Sequence, residues 1–141
     1  MKYPNLLSEN IYDPRFKNKF LVVGNCVPSM YPKVLKKFEK LWKNIFLICL
    51  EQEHYNMMVA KLFDIVGVGK TKKIGFLTVD GSPHCVQVHF GSKYLKRGLA
   101  NGTTVEFRHY VIKRDARVYE VSMESIDKAR DLSTFGKKMQ D

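Results

Sequence analysis

The sequence contains few cysteines, and their arrangement excludes two common kinds of site. Cys26, Cys49 and Cys85 are the three cysteines among 141 residues, and no two of them form a CxxC pair. A four-cysteine zinc ribbon or ferredoxin cluster therefore cannot be built from this chain alone. An odd number of cysteines without an export signal also argues against a framework of disulfide bonds.

The sequence also lacks a long apolar run. The longest, at residues 45–50, falls far short of the roughly 20 apolar residues that cross a bilayer as a helix. The N-terminal residues 1–5 lack the apolar segment of a signal peptide. We therefore expect a cytoplasmic protein without a membrane span.

Acidic residues are scarce compared with basic ones. The chain has 14 Asp and Glu against 24 Lys and Arg, which gives a net charge of +10. Such a charge favours an anionic partner, whether a small ligand, an acidic protein or nucleic acid. A solvated lysine-rich surface explains the same charge without any partner, because net charge bears on association and not on fold.

Three short apolar segments, separated by two helical patterns, predict the fold. The predicted strands lie near 20–24, 45–50 and 74–79. Two successive βαβ units form a parallel sheet with right-handed crossovers. We predict a single three-layer α/β domain over residues 1–141, with an N-terminal arm at 1–17 and a frayed tail at 136–141. An α/β domain of this size often forms a homodimer, although no interface signature is visible.

The segment that follows the third strand fits two structures. Asp80-Gly81 is a hairpin turn signal, and apolar residues alternate with polar ones over 86–90. Ser82-Pro83, in contrast, is typical of a helix N-cap and first turn. The preceding repeat favours a helix, which we predict over about 83–97. A C-terminal β-hairpin, about 104–112 and 118–123, would then extend the sheet, with His109 at its surface or edge.

Chemically capable side chains follow the predicted strands. They are Gly24, Asn25 and Cys26 after the first, Glu51, Glu53 and His54 after the second, and Asp80, Gly81, Ser82, His84 and Cys85 after the third. Ligands of open parallel sheets bind beyond the carboxyl ends of the strands, at the switch point. We therefore predict a site at this edge. Cys49 would lie inside its strand as a small core residue.

Cys85 is the candidate nucleophile of this site. It would be the third residue of a helix, where the dipole and free N–H groups favour a thiolate. His84 could add positive charge or accept a proton, and Cys26 could act as a resolving thiol. The structural alternative is that Cys85 packs against the sheet and His84 lies at the surface.

The same edge allows two other kinds of site. Cys26, His54, His84 and Cys85 make up a two-cysteine, two-histidine set that zinc or iron accepts, although their spacing matches no local signature. The turns Gly24-Asn25 and Asp80-Gly81-Ser82 could instead bind an anion at a helix N-terminus.

Two nucleotide motifs are missing or incomplete. The dinucleotide fingerprint GxGxxG is absent. Residues 67–71 resemble the end of an ATP-binding P-loop, but Asp64 replaces its first glycine and the order of helix and strand is reversed. The cofactor therefore stays unknown at this stage.

Residues 22–26, 49–57 and 78–87 carry a resemblance that covers about residues 20–100. They resemble a family of small, largely uncharacterised proteins from archaea and anaerobic bacteria, sometimes labelled iron–sulfur or ferredoxin-related. The resemblance implies that the three strand ends form the functional surface, and it supplies no reaction.

Two functions follow as hypotheses. The first is a thiol or metal site of redox type at the strand ends. The second is a non-catalytic basic module that binds a nucleotide, a nucleic acid or an acidic protein. Whether the protein is an enzyme is left open by the sequence.

Overall fold

The computed structural model describes residues 3–99, 104–128, 133 and 136–139 and confirms the predicted α/β architecture. The strands are β1 (Asn18–Gly24), β2 (Ile45–Ile48), β3 (Thr71–Val79), β4 (Glu106–Ile112), β5 (Val118–Val121) and β6 (Lys137–Lys138). The helices are α1 (Val27–Met30), α2 (Pro32–Trp42), α3 (Tyr55–Gly67), α4 (Pro83–Gly98) and α5 (Met123–Lys128). None of the described helices combines the length and apolar character needed to cross a bilayer.

The strands form one sheet in the order β2-β1-β3-β4-β5-β6. β1 lies parallel to β2 and β3, and β3 lies parallel to β4. β5 pairs antiparallel with both β4 and β6. The predicted C-terminal hairpin is therefore confirmed as β4 and β5. Because β2 and β3 flank β1 on opposite sides, the topological switch point lies at the carboxyl ends of β1 and β3.

Alternate residues of β1 enter two separate cores. Phe20 and Val22 pack against the α3 and α4 side, whereas Leu21 and Val23 pack against the α2 side. All four are 0% exposed, as the continuous apolar run predicts for a strand buried on both faces. Burial of each such side chain contributes about 1.5–3 kcal/mol, so β1 anchors both helical layers to the sheet.

The arm and the tail both contact the sheet where they are described. The N-terminal segment buries Leu6 and Phe16, and the Leu47 N–H donates to the carbonyl of Pro4 over 2.8 Å. Within the tail that we predicted to fray, β6 pairs with β5, and the Met139 N–H donates to the carbonyl of Val118 over 2.9 Å. Residues 1–2, 140 and 141 lie outside the described residues.

Helix α4 resolves the ambiguity after the third strand. Ser82 is its N-cap and Pro83 its first residue, and the Val86 N–H donates to the Ser82 carbonyl over 2.9 Å. Gly81, at φ +86°, makes the turn that separates β3 from the helix. The helix ends at Gly98, one residue beyond the prediction.

Gly75 in β3 gives a test of how closely α2 packs on the sheet. A Cβ atom at this position would lie 2.7 Å from Leu21 Cδ1 and 2.7 Å from the Trp42 ring. We expect Gly75→Ala to lower the free energy of unfolding by about 1–3 kcal/mol, because both neighbours belong to a packed core. Chemical denaturation measures this change.

Gly67→Ala is the matched control. A Cβ atom there meets nothing within 4 Å, at the last residue of α3. Alanine should therefore leave stability unchanged or raise it by up to about 1 kcal/mol through helix propensity. Equal losses in both variants would contradict the close packing of Trp42 on Gly75.

Candidate functional site

A pocket of about 310 Å³ opens at the switch point, beyond the carboxyl ends of β1 and β2 and beside the first turn of α4. It contains a large part of the predicted site. The predicted residues that line it are Gly24, Asn25, Cys26, Ser82, His84 and Cys85. Ser29, Cys49 and Glu51 also line this pocket.

Backbone hydrogen bonds hold both thiol-bearing segments. The Asn25 N–H donates to the carbonyl of Ile48 over 2.9 Å, which continues the β1–β2 pairing by one residue. Cys26 is then the N-cap of α1, and its carbonyl accepts from the Met30 N–H over 3.0 Å. Cys85 is the third residue of α4, as the helix prediction requires.

Cys26 and Cys85 line the same pocket, where a hydrogen bond from the Cys26 thiol would favour the thiolate of Cys85. This bond is the main cause that lowers the pKa of Cys85 to about 6; a hydrogen bond with Ser82 and the charge of His84 also favour the thiolate, while burial opposes it. The same bond, with burial and the nearby Cys85 charge, raises the pKa of Cys26. Of the two thiols, Cys85 is therefore the one that is favoured to ionise.

Cys49 lies outside strand β2, whereas the sequence predicted a core position inside it. Strand β2 ends at Ile48, so Cys49 lies just beyond the strand, half-buried in the pocket wall, and the prediction of a core position is wrong. Its N–H donates to Glu53 Oε1 over 3.1 Å, and its carbonyl accepts from the Glu53 N–H. The acidic residues after the apolar run were the available signal for an earlier strand end, since Glu53 bonds the backbone of Cys49 and the strand pairing ends there.

Two predicted residues point elsewhere. His54 is the exposed N-cap residue of α3 and does not line the pocket. The Asp80 carboxylate accepts hydrogen bonds from the backbone N–H and the hydroxyl of Ser133. Asp80 therefore ties the turn after β3 to the C-terminal segment.

The described residues do not assemble the predicted metal ligands. No three His, Cys, Asp or Glu side chains within this part of the chain form a group that could hold a metal ion. The zinc or iron site of Cys26, His54, His84 and Cys85 stays a prediction that this arrangement does not support.

A buried pair of histidines lies beneath the site. His89, one helical turn after Cys85, is 0% exposed, and His109 in β4 is 4% exposed. The expectation of a surface or edge position for His109 is wrong, because β4 is an interior strand covered by α4. His89 Nδ1 lies 2.9 Å from His109 Nδ1, and His89 Nε2 lies 2.8 Å from Thr78 Oγ1.

Ser92 determines the direction of this hydrogen-bond chain. Its hydroxyl donates to the His89 carbonyl over 3.1 Å, so its oxygen accepts from His109 Nε2–H over 3.2 Å. A neutral His109 then has a bare Nδ1, which accepts from His89 Nδ1–H. His89 Nε2 in turn accepts from the Thr78 hydroxyl. Each ring carries one proton, and every ring nitrogen has a partner.

Both histidines are held neutral by burial. Burial lowers the pKa of His109 to about 3, and the charge of Lys96 lowers it further in the same direction. Burial and the neighbouring His109 also hold the pKa of His89 well below its usual range. A charged ring at either position would lack solvation and disrupt the chain.

These pKa shifts predict a pH-dependent stability. Below about pH 6.5 the unfolded chain binds more protons than the folded one at these two positions, and for His109 this holds down to about pH 3. The contribution of the two neutral histidines to the free energy of unfolding should be complete above about pH 6.5. It should be lost as the pH falls, at up to about 1.4 kcal/mol per pH unit for each histidine. Urea unfolding between pH 7 and pH 4 measures the slope.

His109→Gln should flatten this slope, while the exposed His54→Gln should keep it. Because glutamine cannot make all the hydrogen bonds of His109 with His89 and Ser92, the stability of this variant at pH 7 should also be lower. A wild-type slope in His109→Gln would contradict the assignment of a neutral buried pair.

A doubly wound parallel sheet with a pocket at its switch point defines the class of the fold. The sequence profile of the Rossmann-like domain family matches residues 13–140. The chain therefore belongs to the Rossmann-like domain family. Searches of curated proteins and of solved structures gave no match. The family match establishes the fold without a reaction, and it gives no link to iron–sulfur proteins or ferredoxins.

Proposed function

We propose that the switch-point pocket is a thiol–disulfide redox site, with Cys85 as nucleophile and Cys26 as resolving thiol. The observation that carries this proposal is that Cys26 and Cys85 line one pocket together with His84, with Cys85 in the first turn of α4. Low-pKa thiols that react with disulfides are found at helix N-termini beside a second cysteine.

The surroundings of Cys85 favour the thiolate over the thiol. The first turn of α4 directs its free N–H groups and the positive end of its dipole at this position. Cys85 is 9% exposed, whereas Cys26 is exposed, so a substrate reaches the pair from the Cys26 side. Gly24, Asn25 and Ser82 line the same pocket and would contact the substrate.

The substrate class would be a small disulfide. The Cys85 thiolate attacks one sulfur of the disulfide, a Cys85–substrate bond forms, and the other substrate sulfur leaves as a thiolate. That thiolate takes the proton of Cys26. Cys26 then attacks Cys85 and releases the second substrate thiolate, which is protonated from solvent. The disulfide is reduced to two thiols, and the protein gains a Cys26–Cys85 disulfide that a dithiol can reduce again.

Alkylation kinetics test the activated thiol. We expect the iodoacetamide reaction of Cys85 to show a midpoint near pH 6, and Cys26→Ala to slow it at pH 6.5 by at least about tenfold, because the thiolate loses its hydrogen-bond donor. Mass spectrometry of the modified peptide identifies the site. His54→Gln, outside the pocket, should keep the wild-type rate; an unactivated Cys85 in the wild type would contradict the proposal.

Reaction with oxidised glutathione tests the resolving role of Cys26. The wild-type protein should lose two thiols and give a peptide pair linked through Cys26 and Cys85. Cys26→Ala should instead stop at a stable mixed disulfide on Cys85. A wild-type protein that accumulates the mixed disulfide to the same extent would show that Cys26 does not resolve it.

A further inference from the structure

Helix α2 presents a face that consists of lysine. Its buried face packs Leu35, Phe38 and Trp42 against the sheet. The opposite face carries exposed lysines at helical spacing, namely Lys33, Lys36, Lys37, Lys40 and, at the C-cap, Lys43. We call these five residues the lysine face. At about 1.5 Å per residue the helix holds them along a line of about 16 Å.

The lysine face concentrates the charge of the whole chain. Residues 33–43 contain five lysines and one acid, Glu39, so they account for +4 of the net charge of +10. The Glu39 carboxylate accepts a hydrogen bond from the Tyr3 hydroxyl over 2.9 Å. Within the described residues, Lys33, Lys36, Lys40 and Lys43 have no carboxylate partner. Their positive charge is therefore available to a partner.

We propose that the lysine face binds the phosphate backbone of duplex nucleic acid without regard to base sequence. Charge complementarity supports this partner: each strand of duplex DNA has one negative charge per roughly 3.4 Å of its axis, a spacing close to that of the five ammonium groups along α2. Lysine contacts phosphate as a compact point charge, and no Arg, Asn or Gln side chain of α2 is present to read base edges.

The packing of α2 argues against the other anionic partners. A membrane-bound amphipathic helix inserts its apolar face into lipid, but this face of α2 is already occupied by the sheet. The centres of protein–protein interfaces are rich in aromatic residues and depleted of lysine. Leu41, 58% exposed, is the one large apolar side chain that α2 exposes beside the lysine face, which suits phosphate better than a protein surface.

Salt dependence of binding tests the proposal. Fluorescence anisotropy with a labelled DNA duplex of random sequence, between 50 and 200 mM salt, measures the affinity of the full chain. About five phosphate contacts predict a slope of log K against log salt near −4.5, or a loss of about 500-fold over this range. A second duplex of unrelated sequence should bind equally well.

Two sets of substitutions locate the binding surface. Lys33→Gln, Lys36→Gln and Lys40→Gln together should reduce the slope by about 2.7, and the corresponding Glu variant should abolish binding at 50 mM salt. The control carries Glu at the exposed residues Lys113, Lys137 and Lys138, with the same change in net charge. It should retain most of the affinity. Circular dichroism checks that each variant is folded. If the Glu variant disturbs the helix, the Gln variant still tests the proposal through its salt dependence.

Three outcomes would overturn the proposal. The first is the absence of binding at 50 mM salt, and the second is an equal loss of affinity in the control variant. The third is displacement of the DNA by polyglutamate as readily as by unlabelled duplex at equal charge. This last result would indicate an acidic protein partner. Because the lysine face shares no residue with the thiol pocket, Cys85 alkylation should be unchanged in all lysine variants. Failure of one proposal therefore leaves the other standing.

Discussion

The structure depends on the burial of β1 on both of its faces. Phe20 and Val22 enter one core, Leu21 and Val23 enter the other, and β2 and β3 pair with the two edges of the strand. Every residue of this strand from Phe20 to Gly24 is buried, and the chain becomes exposed at Asn25, where it leaves the sheet. That constraint brings Asn25 and Cys26 to the switch point and places them beside the first turn of α4. The pocket is therefore a direct consequence of how the central strand is packed.

Helix α4 links this pocket to the interior. Its first turn supplies Cys85, and its second supplies His89, which is hydrogen-bonded to Thr78 of β3 and His109 of β4. Four polar groups are thus satisfied in a buried region where a charge would be costly. The hydrogen bonds hold α4 against two strands, and the thiol pair lies at the end of the helix that they secure.

Much of the fold could be predicted from the sequence, whereas the fine structure of the site could not. Apolar runs at 20–24 and 74–79, the amphipathic α2 and the Ser82-Pro83 helix start are local signals, and each gave the correct element. The two-residue error at the end of β2 arose because Glu53 stops the pairing through its own backbone contacts. It misplaced Cys49. The burial of His109 depends on α4 covering β4, which no local pattern around Arg108-His109-Tyr110 encodes. The pocket that Cys26 and Cys85 share brings together residues that are 59 positions apart.

The central claim is that Cys85 ionises before Cys26 in the switch-point pocket. The most direct measurement is a titration of thiolate absorbance in the ultraviolet, with the wild-type protein compared with Cys85→Ala. We predict one thiolate with a midpoint near pH 6 in the wild type, and its loss in Cys85→Ala. Thiolate absorbance that first rises near pH 8.5, the usual value for a free cysteine, in both proteins would contradict the account.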